Sequence, residues 1–276
     1  MIIDGIKIAQ QIELGIKARV AKLPFVPLFC DVLVGNDPVS FSYVNKKGRA
    51  AVRCGMEFEL VQLDENILEV DLRSKILALN RKERICGIVV QLPLPNYFNR
   101  QDVLDAILPS LDVDVIGSVS SKIFYTENSG LVPPTAAAIL RVIDSLPGKI
   151  QSGKYVVVGQ GMLVGKPLSY LLKKAGRQVM VADKQVSDLD TLLRQADVII
   201  SATGQPGLIK AHMLKNGAAV IDAGSAEMDG GIVGDVDFTS VKEVAAFITP
   251  VPGGIGPVTV AKLLENVVSV AELKIK

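Results

Sequence analysis

The sequence holds no tryptophan, a single histidine (His212) and only three cysteines. One histidine cannot build a multi-histidine metal centre, and a histidine-based catalytic triad is not expected; no metal is assigned. Cys30, Cys54 and Cys86 are odd in number, scattered, and set among apolar neighbours. They read as reduced core thiols of a cytoplasmic protein. Neither charge is in excess, with 30 Lys and Arg against 29 Asp and Glu, which argues against a nucleic-acid partner. No apolar run reaches the length of a membrane span. The N-terminus lacks a basic segment followed by a long apolar core, so no signal peptide is expected.

What is present is 276 residues, 49% of them hydrophobic, enough for two modest domains or one large one. Apolar spacing predicts a helix over Ile6–Leu23 with Asp4 as a possible cap, a strand over Val26–Val34, and a helix over Val39–Cys54 capped by Asp37 or Ser40. Strand Glu57–Leu63, helix Asn66–Asn80, strand Ile85–Leu92 and helix Gln101–Leu108 follow. Ser110–Val132 reads as a polar loop crossing between domains. Thr135 can cap a helix to Leu146, and Lys154–Val158 opens a second βα series. That series continues through helix Pro167–Ala175, strand Val179–Ala182, helix Ser187–Gln195, strand Asp197–Ala202, helix Ala211–Asn216 and strands Ala218–Asp222 and Ala245–Ile248. A last helix spans Pro257–Leu273. Both halves are α/β, with parallel sheets covered by helices.

Three stretches carry chemistry. The first is Thr249–Thr259, with three prolines and three glycines in a row of eleven. It is a rigid loop of dictated shape that another molecule can approach closely, or simply a tight strand-to-helix turn. The second is Gly159–Gln160–Gly161 with Gly165, between a strand and a helix. Such a turn aims backbone N–H groups and a helix N-terminus at a pyrophosphate. Asp183, at the tip of the next strand, suits the ribose hydroxyls of NAD and repels a 2′-phosphate. Lys184 pulls the other way, and Gln160 cannot clamp a phosphate as arginine would. The local residues favour NAD; a tight βα turn with a strand-end aspartate is the plain alternative.

The third stretch puts Ser40, Tyr43 and Lys47 on one helix face. A tyrosine beside a lysine can hold the amine and tune it as an acid or base, although a helix-face lysine is ordinarily solvated. Gln91 sits near the carboxyl end of an apolar strand, where ligands of open α/β sheets gather. Asp112 and Asp114 read, by themselves, as surface turn residues.

Taken together, the chain resembles the bifunctional methylenetetrahydrofolate dehydrogenase/methenyltetrahydrofolate cyclohydrolase family. The resemblance rests on Val34–Gly35–Asn36–Asp37–Pro38 with Ser40, Tyr43, Val44 and Lys47, on Gly87–Pro95, on Asp112–Val113–Asp114, on Val164–Gly165–Lys166–Pro167, on Gly234–Phe238, and on Thr249–Thr259. It implies two α/β domains around a cleft: a folate-binding catalytic domain (1–134, with the C-terminal helix 257–276 returning to it) and a Rossmann-like NAD(P) domain (135–256). It also implies a homodimer. Lys47 is then the central catalytic residue, in its neutral form at rest. Tyr43 orients the pterin side, Gln91 holds Lys47 in its useful protonation state, and Asp114 anchors the pterin. Ser40, Leu92, Pro93, Pro252, Gly253 and Gly254 line the substrate. Gly159, Gln160, Gly161, Val164, Gly165, Asp183, Lys184, Thr203 and Ser225 contact the dinucleotide.

Several positions depart from the family pattern, among them Gly161, Lys184 and the segment Pro133–Pro134–Thr135–Ala136. Leu111 and Val115 replace the Lys and Gly that flank the Asp-Val-Asp triplet, Gln160 replaces an arginine, and Asp183 replaces a histidine. The family implies NADP, whereas Gln160 and Asp183 favour NAD. A β-branched Val115 cannot readily take the positive φ that glycine allows. These changes motivate one rival reading, a folate- or dinucleotide-binding protein that has lost activity; the general two-domain layout with a lysine acid/base motivates another, a shikimate-type dehydrogenase of a small acid.

Overall fold

The structure, a computed structural model, describes residues 1–127, 130–228 and 231–275. In chain order its elements are α1 (Gly5–Val20), β1 (Leu28–Val34), α2 (Pro38–Arg53), β2 (Glu57–Leu63), α3 (Glu69–Leu79), β3 (Ile85–Val90), α4 (Arg100–Leu104), α5 (Ser118–Thr126), α6 (Pro134–Ile143) and α7 (Gly148–Gln151). Then come β4 (Lys154–Val158), α8 (Gly165–Lys174), β5 (Gln178–Ala182), α9 (Leu189–Leu193), β6 (Val198–Ser201), β7 (Ala219–Asp222), β8 (Ala226–Met228), β9 (Gly231–Val233), α10 (Phe238–Val241), β10 (Phe247–Ile248) and α11 (Ile255–Leu273). The chain divides into two compact units, Gln10–Pro134 with Val260–Lys276, and Met1–Ala9 with Thr135–Thr259.

In the first unit three parallel strands lie in the order β2-β1-β3. β1 (LFCDVLV) and β3 (ICGIVV) are buried along their whole length, as parallel strands covered on both faces must be. Pro38 sits at the first turn of α2, and the Asp37 carboxylate accepts from the Ser40 amide at 2.7 Å. Both features pre-organise the helix start. Val260, Leu264, Val267 and Val268 of α11 join the core of this unit, so the C-terminal helix packs where the family resemblance put it.

In the second unit five parallel strands lie in the order β10-β7-β6-β4-β5. β4 pairs with β5 on one side and β6 on the other, which makes the carboxyl ends of β4 and β6 the switch point of the sheet. The first nine residues belong to this unit rather than to the N-terminal half that follows them. Ile3 N donates to Ile248 O at 2.8 Å and Gly5 N to Gly253 O at 3.1 Å, and Asp4 caps α1 by accepting from Lys7 N at 3.0 Å.

Some expected elements differ. Ser110–Val132 contains α5 and a parallel bridge between Asp112 and Ile88, so it is no featureless loop. Its polar residues are consumed by a buried aspartate described below. The expected helix over Ala211–Asn216 is only a 3-10 turn at Ala211–Met213, ended by Leu214, whose backbone is already extended. The β8–β9 hairpin was not expected from the sequence; its strands are too short to show a period of two.

Candidate active site

α2 puts Lys47 one turn after Tyr43, facing the sheet rather than solvent. Lys47 is only 2% exposed, which overturns the reading of an ordinary solvated lysine. Its Nζ donates to Gln91 Oε1 at 2.9 Å and lies 2.6 Å from Asp31 Oδ2. The Tyr43 ring centroid is 5.1 Å away, within cation–π reach. Gln91, just past the end of β3, is itself held by its Nε2 donating to Leu92 O at 2.5 Å. One side-chain amide thus fixes the lysine and is fixed by the backbone.

Asp31 is the residue the sequence reading missed. It stands in the middle of β1 and is fully buried. Burial pushes its carboxyl above the ordinary range, while the Lys47 charge and hydrogen bond pull it back. Among the described residues neither of its oxygens receives any further hydrogen bond. The signal was available: an acid inside a fully apolar strand needs a cationic partner. With that carboxylate beside it, Lys47 has the partner of an ammonium. The expectation of a neutral resting lysine was made without Asp31, whose carboxylate oxygen lies 2.6 Å from Nζ.

Asp112 and Asp114 are not surface turn residues. Asp112 is 1% exposed. It accepts from Val115 N at 2.9 Å, Ile116 N at 3.0 Å and Gly117 N at 2.7 Å, and from the Ser120 hydroxyl. Around this anchor Val115 takes φ 59°. The β-branched residue therefore adopts the conformation expected to resist it, and stores roughly 1–3 kcal/mol of strain offset by the three amide bonds. Asn266 of α11 braces the same turn by donating to Val113 O at 2.8 Å. Asp114 is half-buried and receives no hydrogen bond among the described residues. Burial, opposed by Lys47 and reinforced by Asp112 and Asp31, pushes its carboxyl up to about 6. Tyr43 is likewise pushed up, by burial first and then by Asp114 and Asp31. Ser40 is buried on the same helix, and Leu92 and Pro93 follow Gln91 directly.

The other unit holds the glycine turn. Gly159 has φ 92°, and a Cβ at Gly165 would sit 1.9 Å from Gly159 O. These two glycines are required by the turn, whereas Gly161 faces open space. The turn leads from β4 into the N-terminus of α8 with little bulk on it, which fits a dinucleotide pyrophosphate. Gln160 Nε2 donates to Gly159 O at 2.8 Å, so this side chain braces its own loop. Asp183 and Lys184 are exposed just past β5, and Asp183 Oδ1 accepts from Gln185 N at 2.9 Å.

Two buried acids organise the neighbouring loops. Asp222 accepts from Gly224 N at 2.9 Å and Val236 N at 2.9 Å. Asp235 accepts from the Ser201 hydroxyl and from Thr203 N, both at 2.7 Å. They set the backbone at Thr203 and next to Ser225. Burial pushes Asp222 up to about 6. Pro252, Gly253 and Gly254 close the loop before α11 in this same unit.

Comparison with known proteins agrees with this arrangement. The model for the tetrahydrofolate dehydrogenase/cyclohydrolase catalytic domain matches residues 3–114, and the model for the NAD(P)-binding domain of the same family matches residues 133–275. The bifunctional protein FolD of Exiguobacterium sibiricum is 40% identical, over 99% of this chain and 99% of its own. Among solved structures, the bifunctional FolD of Campylobacter jejuni superposes with a TM-score of 0.93 at 34% identity, covering 99% of each chain. The Trypanosoma brucei enzyme, solved with NADP and an inhibitor, superposes with a TM-score of 0.94 at 33% identity, covering 100% of this chain and 98% of its own.

Proposed function

The chain belongs to the tetrahydrofolate dehydrogenase/cyclohydrolase family and is a bifunctional methylenetetrahydrofolate dehydrogenase and methenyltetrahydrofolate cyclohydrolase that uses NAD(P), and from that premise we propose that Lys47 is the residue that handles the proton of the attacking water. The observation that carries this is the burial of Lys47 against Gln91 and Asp31 beside Tyr43. Such an amine is held in place and shielded from bulk water, as a general acid–base group requires. The shikimate-type alternative falls with the family assignment.

NAD(P), when bound, supplies the acceptor for the hydride lost as the methylene carbon becomes a methenyl cation. The chain's own residues then act on that cation. A water oxygen bonds to the methenyl carbon while one of its protons passes to Lys47 Nζ. Lys47 returns this proton to the ring nitrogen as its bond to carbon breaks, and the remaining hydroxyl proton leaves as the formyl group forms. One water is consumed and one proton released. Gln91 keeps Nζ aimed, Tyr43 orients the pterin side, and the free Asp114 carboxylate accepts the pterin's N–H donors. Ser40, Leu92 and Pro93 are assigned to the same substrate surface, and the family resemblance supports a substrate role for Pro252, Gly253 and Gly254.

For the dinucleotide we assign Gly159, Gln160, Gly161, Val164, Gly165, Asp183, Lys184, Thr203 and Ser225. The exposed Asp183 carboxylate past β5 and the inward-turned Gln160 support NAD over NADP. We also infer a cytoplasmic homodimer. Buried, unpaired cysteines support the compartment, and family resemblance supports the dimer.

Lys47→Met tests the main assignment. Hydrolysis of methenyltetrahydrofolate is expected to disappear while dinucleotide affinity stays at the wild-type value; hydrolysis surviving in a folded variant rejects the role. Separate assays with NAD and NADP, repeated with Asp183→Ser, test the cofactor preference. NAD should be the better substrate, and the variant should gain on NADP. A wild type that is faster with NADP contradicts it. Light scattering of the purified protein tests the dimer, and a monomer at assay concentration rejects it.

A further inference from the structure

The Asp31–Lys47 pair does more than the assigned reaction asks of the lysine. A buried ion pair is a poor way to gain stability, since its desolvation cost rivals its attraction and an apolar pair serves as well. β1 is otherwise apolar, and an aliphatic residue at position 31 would continue it. The acid makes chemical sense only through the lysine it touches. We propose that Asp31 is a positioning residue that exchanges one proton with Lys47 inside the protein, freeing the amine for hydrolysis without any exchange with solvent.

The proposal rests on the role of Lys47 given above. Of the three N–H donors an ammonium carries, one faces Asp31 Oδ2 at 2.6 Å and one faces Gln91 Oε1 at 2.9 Å. Ammonium–carboxylate and amine–carboxylic acid carry the same net charge. Moving the proton from Nζ to Oδ2 breaks one N–H bond, forms one O–H bond, and leaves the buried pair neutral overall. With the proton on Oδ2 no ammonium faces a cationic methenyl substrate, and Nζ carries the lone pair that the attacking water needs. The freed lone pair turns about the Cε–Nζ bond to meet the attacking water, takes its proton, and passes it to the ring nitrogen. The proton then returns from Oδ2 to Nζ, so the pair ends the cycle as it began. The enzyme neither gains nor loses a proton, and the single proton released comes from water.

Burial favours the protonated form of Asp31, which narrows the gap between the two arrangements. The other ionisable groups acting on the pair are Tyr43 of α2 and, after α4, Asp114, which Asp112 influences in turn. On the strand itself Cys30 is the neighbour, facing Glu59 of β2. None of them approaches Nζ as closely as Asp31.

The test is the pH profile of kcat for methenyltetrahydrofolate hydrolysis by wild type, Asp31→Asn and Asp31→Glu. Wild type should be level between about pH 6 and 8, because no solvent proton need leave the lysine. Asp31→Asn, which must release that proton to solvent, should lose about tenfold per pH unit as pH falls. Asp31→Glu should restore much of the level profile. A purely structural role would lower kcat by the same factor at every pH, and an Asp31→Asn profile parallel to wild type overturns the proposal. Should Asp31→Asn fail to fold, infrared difference spectra of the wild type with labelled aspartate decide the matter. A carboxylic-acid band must grow when methenyltetrahydrofolate binds, and its absence overturns the proposal. An active Lys47→Met would sink the lysine's role; an inactive Lys47→Met with parallel Asp31 profiles would sink this inference alone.

Discussion

Removing Lys47 should make the folate-binding unit sensitive to pH in a way the wild type is not. In Lys47→Met the methionine fills the lysine's space, but Asp31 stays fully buried without its cation. Breaking a buried pair from one side costs about 3–5 kcal/mol. A second route gives a similar figure. If Asp31 takes up a proton in the fold while the unfolded chain releases it, the cost at pH 7 follows from the distance to the ordinary carboxyl value. That is about 3 units, or roughly 4 kcal/mol. At pH 5 the same distance is about 1 unit and the cost roughly 1.5 kcal/mol. The sign follows from linkage: the folded value is raised above the unfolded one, so stability is complete below the unfolded value and lost as pH rises. Hydrogen exchange at β1 and β3 amides reads this unit alone. The variant's deficit should widen by about 1.4 kcal/mol per pH unit from pH 5 to 7, and Asp31→Asn in the same chain should remove the slope. A deficit constant with pH would refute the buried pair as described. The expected loss is smaller than the total stability of typical domains, so the variant remains usable for kinetics.

Other consequences are within reach of routine assays. Asp114 carries a carboxyl pushed up to about 6, so the KM for folate should rise as pH falls through that value, when the protonated acid stops accepting both pterin donors. Asp114→Asn should show the high KM at every pH, and steady-state kinetics in overlapping buffers check both statements. Gly165→Ala would place a Cβ 1.9 Å from Gly159 O; dinucleotide binding measured by calorimetry should weaken at least tenfold, because the turn must open. Asp112→Asn replaces one acceptor oxygen of the carboxylate that holds Val115, Ile116 and Gly117. It should cost about 1–3 kcal/mol, read as a lowered thermal midpoint, with a raised folate KM because Asp114 loses its support.

The regular parts of the fold were legible because they repeat. β1, β3, β4 and β6 are short apolar runs bounded by turn residues, and glycine–proline clusters mark where chains leave the sheet. The site was legible in pieces. Helical spacing put Tyr43 and Lys47 on one face, but nothing local says whether that face is wet or buried; the answer depends on strands 16 and 44 residues away, at Asp31 and Gln91. Asp31 stands out as an acid in an apolar strand, but its partner lies on α2, which no local pattern shows. The segment after Leu108 read as polar loop because its polar residues satisfy one another: Asp112 gathers the amides of Val115 to Gly117, an arrangement with no period. Val115 shows the same limit. Its chemistry argues against a positive φ, yet the surrounding hydrogen bonds hold it there.

The most direct test of the account is methenyltetrahydrofolate hydrolysis by the double variant Lys47→Met, Asp31→Asn, which leaves neither charge of the buried pair without its partner to confuse loss of function with loss of fold. Followed by absorbance with the wild type alongside, the variant should hydrolyse the substrate no faster than buffer while its circular dichroism matches the wild type. Hydrolysis at the wild-type rate in that folded variant would contradict the account, and would place the chemistry on residues other than Lys47.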